Sequence, residues 1–154
     1  MAIQEETGEK LVATNRKARH EYFVLETYEA GIALKGTEVK SLRQGRANIS
    51  DGYAIVKGGE VWLHGVHVSP YEQGSYMNVD PLRTRKLLLH KREILKIFSR
   101  SKENSVTLVP LKMYFKENIA KVLLGVCKGK RAFDKRQAIA EREVERDIRR
   151  KYAR

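Results

Sequence analysis

Between Gly31 and Gly45 the hydrophobic period of the chain changes, and that change limits what the surrounding sequence can build. Ile32 and Leu34 alternate with Ala33 and Lys35, the pattern of a half-buried strand. After Gly36 the apolar spacing widens to Val39 and Leu42. Thr37 stands as an N-cap, Glu38 in the first turn, Arg43 in the last, and Gly45 where a left-handed residue ends a helix. The stretch reads as a strand followed by a short helix. So narrow an apolar row cannot hold an isolated helix, so this one must plug a structure made by its neighbours, which read as strands. The expectation is a small, mainly β barrel with a helical plug.

The flanking segments supply about six strands. Glu21 to Tyr28 is aromatic and β-branched. Tyr53–Lys57 and Glu60–Val68 are joined by Gly58-Gly59, a two-residue hairpin that sets Lys57 against Glu60 and Ile55 against Trp62. A second hairpin runs from Val106 to Lys128 with its turn at Glu117-Asn118. It places Leu111, Met113, Phe115, Ala120, Val122 and Leu124 on a core face and Lys112, Tyr114 and Lys121 on a wet one. Leu87-Leu88-Leu89 ends in the core, and His90 with Glu93 imitates a capping box opening a helix that carries Ile94, Leu95, Ile97 and Phe98. Ser69 to Asp80 has no period and reads as a loop, and residues 1–10 read as a frayed polar end.

Charge decides the partner class. The chain carries +12, with a pI near 9.9, which points to a polyanion. From Lys128 onward 11 basic residues face 5 acidic ones, so +6, half of the total, lies in the last 27 positions. Past residue 130 the only apolar row is Val144, Ile148 and Tyr152, too thin to dock firmly. Residues 1–130 therefore read as the barrel, and 131–154 as a basic tail that is disordered alone and helical on a partner. One cysteine, Cys127, leaves no internal disulfide and no zinc cluster. No apolar run reaches membrane-spanning length and no secretory signal opens the chain, so a cytoplasmic protein is expected.

Catalytic groups are not evident. His64 and His67 are three apart in a strand and point to opposite faces, Gly125 to Lys130 lacks the spacing of a phosphate loop, and carboxylates occur singly beside bases. The expectation is no enzyme, no metal and no cofactor. RNA binding has its materials: lysines and arginines for phosphates, Tyr71 and Tyr76 for stacking, Asn15 and Glu29 for hydroxyls or base edges. Each has a structural alternative, since Asn15 also suits a cap, Glu29 a pair with Arg19 or Arg43, and the tyrosines a barrel lid. A general RNA-binding or ribosomal barrel protein and an RNA-processing enzyme are the competing readings.

Several blocks resemble the SmpB family, the protein partners of tmRNA: Asn15-Arg-Lys-Ala-Arg-His-Glu-Tyr-Phe23, Glu29 to Gly36, Glu38 to Arg43, Asn48 to Asp51, Asp80 to Leu89, Gly129-Lys130 and Asp134 to Arg136. The resemblance implies an oligonucleotide-binding (OB) antiparallel barrel with short helices. It implies an adaptor that binds the tRNA-like domain of tmRNA and enters stalled ribosomes with elongation factor Tu, so that translation switches to the tmRNA frame. Asn15, Glu29 and Leu88 match family positions needed for tmRNA binding, Leu88 by shaping the surface, and Lys128 and Lys130 look like phosphate contacts. Arg19, His20, Arg83, Arg85 and Lys86, inside the matching blocks, complete the expected RNA-binding set. Asp134, Lys135 and Arg136 match the tail motif that acts in the ribosome, with the tail helical in the empty messenger channel. Phe133 stands where some members carry His; its ring keeps the face needed to stack on a decoding-centre base but excludes proton transfer. Ile148 and Tyr152 are the expected apolar contacts of the tail.

Overall fold

The computed structural model describes residues 9–103 and 105–130, together with positions 142–144, 146 and 149, which are helical. In chain order the elements are β1 (Glu9–Thr14), α1 (Arg16–Glu21), β2 (Tyr22–Ile32), α2 (Gly36–Arg43), β3 (Ala47–Asn48), β4 (Tyr53–Lys57), β5 (Glu60–His64), β6 (His67–Val68), a 3-10 segment (Glu72–Met77), β7 (Arg85–Leu88), α3 (Lys91–Ser101), β8 (Val106–Lys116) and β9 (Ile119–Gly129). Six strands close a ring in the order β8-β4-β5-β7-β2-β9 and back to β8, each pair antiparallel, so the expected barrel is present. Strand β8 is long enough to give one edge to β9 and divide the other, between β4 at Leu108 and β1 from Lys112 to Lys116.

Both hairpins have the expected register. Lys57 pairs with Glu60 and Ile55 with Trp62; Phe115 pairs with Ala120 and Met113 with Val122. Their turns are left-handed at both central residues, Gly58 (φ 61) and Gly59 (φ 76) in one, Glu117 (φ 51) and Asn118 (φ 66) in the other. This is the turn whose twist matches that of the strands. The barrel interior is filled by Ile32, Val61, Leu63, Leu87, Met113, Phe115, Val122, Leu124 and Val126, with Leu42 of α2 and Ile97 of α3 joining the same core. The helical plug is there, and α3, which opens on the expected His90 cap, adds a second helix to the core.

Several positions depart from the sequence reading, and the strand expected from Glu60 to Val68 breaks after His64 into β5 and β6. Helix α2 is capped at Lys35, two residues before Thr37, because the Lys35 amide donates to Glu38 Oε1 at 2.8 Å. Leu111 falls at a bulge in β8, which turns it from the core face to an outer cluster with Ala18, Val109 and Cys127. Tyr114, expected to be wet, is 2% exposed. Leu88 is 51% exposed: with Leu87 pointing inward, strand alternation sends the next leucine out. Two elements were not anticipated. The apolar residues of β1, Leu11-Val12-Ala13, are adjacent and interrupted by a bulge, and α1 has one buried residue, Ala18, so neither shows a period.

Candidate nucleic-acid interface

Helix α1 is fixed by Asn15. Its side chain accepts from the Ala18 amide at 3.0 Å, and its amide nitrogen donates to the carbonyls of Pro110 at 2.9 Å and Ile49 at 3.3 Å. The Asn15 backbone N–H reaches Leu111 O at 2.9 Å, so this residue bolts the junction where β1 and β4 divide the edge of β8. At 3% exposure and with these bonds made, Asn15 positions the interface and offers it no edge. What it positions is basic: Arg19 and His20 end α1 exposed, beside the end of β9. Lys130 Nζ donates to Arg19 O at 3.2 Å and lies 5.0 Å from the ring centre of Phe23, which pairs across the sheet with exposed Lys128. A bulge in β2 at Leu25 leaves Phe23, Val24 and Leu25 all exposed, so an apolar strip adjoins these cations.

Further along β2, about 20 Å away at strand rise, Glu29 and Leu88 line one groove of roughly 660 Å³ with Gly31, Phe115, Ile119 and Lys121. Gly31 pairs with Leu88, and a Cβ at Gly31 would stand 3.2 Å from Leu88 Cβ, so the glycine makes room for the leucine. Glu29 pairs with neither Arg19 nor Arg43. Its Oε2 accepts from Tyr114 Oη at 2.7 Å and faces Lys116 Nζ at 3.5 Å. The Tyr114 bond, with Lys116 and Lys121 nearby, holds the Glu29 carboxyl below its ordinary range against the opposing effect of burial. Burial and the same bond push the Tyr114 phenol above its own. The groove thus presents an ionised acceptor beside an exposed apolar side chain, suited to a hydroxyl or a base edge packed on Leu88.

The remaining expected residues divide. Arg85 is corrected: it is fully buried, with Nε on Glu38 Oε2 at 2.5 Å and its terminal nitrogens on Val66 O at 2.8 Å and Pro81 O at 3.0 Å. It fastens α2 to the loop before β7 and has no face for RNA. Arg83 shares Glu38, at 2.6 Å, and stays partly open; Lys86 pairs with Glu60 at 3.3 Å on the outer side of the sheet. Tyr76 stands fully out from its loop, and Tyr71 lies under Lys40 Nζ. Phe133, Asp134, Lys135, Arg136, Ile148 and Tyr152 lie outside the described residues. Sequence reasoning missed Tyr114 and Phe23; a tyrosine on an alternating strand carries no sign of a partner 85 positions away. No metal-ligating cluster occurs among the described residues, and burial pushes the Cys127 thiol up to about 11, the state of an inert thiol.

The SmpB protein family model matches residues 12–154. The SsrA-binding protein of Acidothermus cellulolyticus is 58% identical over 143 residues, covering 93% of this chain and 90% of its own. The SsrA-binding proteins of Carboxydothermus hydrogenoformans (57% over 140 residues, covering 91% and 94%) and of Geobacillus sp. strain WCH70 (59% over 143 residues, covering 93% and 92%) are similar. A solved structure described as "tmRNA-SmpB: a journey to the center of the bacterial ribosome" superposes with a TM-score of 0.67 at 53% identity, over 82% of this chain and 93% of that one. A barrel whose residues match that family across nearly its whole length, and whose strands superpose on a solved relative, establishes that this chain belongs to the SmpB family.

Proposed function

We propose that this chain is the tmRNA-binding adaptor of trans-translation. Residues 1–130 bind the tRNA-like domain of tmRNA, and residues 131–154 act in the decoding centre and empty messenger channel of a stalled ribosome. The observation that carries the reading is the groove in which Glu29 and Leu88 meet, in a chain 57–59% identical to SsrA-binding proteins. In this reading Arg19, His20, Lys128 and Lys130 neutralise phosphates, Arg83 and Lys86 contribute at the margin, and Asn15 acts by holding α1. The ring of Phe133 stacks in the decoding centre, Asp134, Lys135 and Arg136 work there beside it, and Ile148 and Tyr152 anchor the tail. Elongation factor Tu accompanies the delivered complex, the work is cytoplasmic, and the protein binds without catalysing a reaction. Among the described residues no helix is long and apolar enough to cross a membrane.

The test is a salt titration comparing a tRNA-like tmRNA fragment with a hairpin of equal length. Preference for the fragment that survives moderate salt supports a shape reader, since counterion release alone makes no such distinction. Equal affinity for the two RNAs would sink the reading. Glu29→Ala is expected to weaken fragment binding about tenfold, the loss of one charge-assisted hydrogen bond to the RNA, while the protein stays folded with about 1 kcal/mol less stability because the Tyr114 hydroxyl loses its partner.

A further inference from the structure

We propose that Arg100 is a positioning residue for the RNA held at the Glu29 groove, tying α3 to β2 so that the two walls of the groove keep their spacing; this rests on the adaptor reading above. Glu29 and Gly31 come from β2, whereas Leu88, Leu89, His90 and Glu93 come from β7, the joint after it and the first turn of α3. The seam between these walls is short: β2 and β7 pair at Gly31 with Leu88 and at Ile32 with Leu87. Two pairs make a narrow hinge for a wall that continues into an 11-residue helix.

A second tie lies at the far end of α3. Glu93, Ile97 and Arg100 fall on one row of the helix, about 10 Å long at helical rise, and β2 covers about the same distance from Glu26 to Glu29 at strand rise. Ile97 is buried in the core, and Arg100 Nε stands 3.3 Å from Glu26 Oε1. Among the described residues no other ion pair joins α3 to a strand. Glu26 is itself held, its Oε2 accepting from Tyr28 Oη at 2.8 Å, and Tyr28 packs against the core. Burial, that bond and the charges of Glu26 and Glu93 push the Tyr28 phenol above its ordinary value against the opposing charge of Arg100, so Tyr28 stands between the groove wall and the clamp. Arg100 Nη1 also donates to Glu103 at 2.9 Å. A planar guanidinium bonded on two sides has a fixed direction, which a flexible ammonium lacks. The side chains of Arg100 and Glu26 are 31% and 39% exposed, so the pair adds little to stability. Its effect is on geometry: strand pairing at one end and this clamp at the other hold α3 as a bracket, and a binding site needs its groups placed to within about 0.5 Å.

The test uses the full chain and four variants, Arg100→Met, Arg100→Lys, Glu26→Gln and the double variant Glu26→Gln/Arg100→Met, each titrated with the tRNA-like tmRNA fragment over a range of salt. Arg100→Met keeps the length of the stem and is expected to weaken binding about fivefold at an unchanged salt slope, whereas loss of a direct phosphate contact makes the slope shallower by about 0.7–0.9. Glu26→Gln removes an acid, which by charge alone favours RNA; it is expected instead to weaken binding by the same factor, and the double variant to be no weaker than either single one. Arg100→Lys is expected to recover part of the loss, and every melting temperature to stay within about 4 °C of the parent. A shallower slope, tighter binding by Glu26→Gln, multiplied losses in the double variant or no recovery with Arg100→Lys would overturn the proposal. The unmutated chain is also titrated with a hairpin of equal length. Its failure to prefer the fragment would overturn the adaptor reading and this inference with it; a kept preference with both single variants at parental affinity would overturn the positioning role alone.

Discussion

At the scale of single residues, Tyr114 tunes Glu29. Because the Glu29 pKa is lowered from 4.5, its charge is present at neutral pH and is lost only as pH falls through the lower, folded-state value. Tyr114→Phe keeps the buried ring and removes the hydroxyl. It is expected to return the Glu29 titration, followed by NMR, toward 4.5 and to weaken fragment binding several-fold, at a cost to stability of about 1 kcal/mol. An unmoved Glu29 titration would contradict this. Cys127 gives a second check: buried and with its thiol raised to about 11, it is expected to resist alkylation at pH 8 until the chain unfolds, so labelling should follow the urea transition. Labelling of the folded protein at the rate of an exposed thiol would refute its burial.

At the scale of elements, the hairpins owe their register to their turns, while α2 owes its seat to one buried carboxylate. Burial by itself would raise the Glu38 pKa, but hydrogen bonds from Arg83, the Lys35 amide and Arg85 outweigh it and lower the value. A lowered folded-state pKa means stabilisation that is present above the unfolded value near 4.5 and lost as pH falls through the folded one. Glu38→Gln strands the buried Arg85 charge and is expected to cost about 3 kcal/mol at pH 7. Urea midpoints at pH 7 and pH 3.5 should fall more steeply for the parent than for the variant; parallel falls would remove Glu38 from the acid response. Legibility at this scale was uneven for a physical reason. The His90 cap and both hairpin turns are set by residues within four positions of each other, whereas α1, with Ala18 alone buried, takes its place from Asn15 and its distant carbonyl partners.

At the scale of the whole molecule, the proposed function gives tmRNA to the barrel and the ribosome to the tail. Cutting the chain before Asp134 is expected to leave fragment affinity within about twofold, because the groove and the α1 cations lie in the barrel, and to abolish tagging on stalled ribosomes. A shortened protein that still tags would contradict the division. The sequence by itself determined the β class, the closing hairpins, the plug at α2, the polyanionic partner and, through whole blocks of residues, the family; these follow from period, turn chemistry and charge, which are local or additive. Only the tertiary structure decided that Arg85 is buried, that Leu88 is exposed, that Tyr114 holds Glu29 and that Asn15 is a bolt. Each depends on which strand lies alongside and on where bulges at Leu25 and Leu111 reset the faces. A side chain's type fixes what it can bond, but ring closure fixes what it meets.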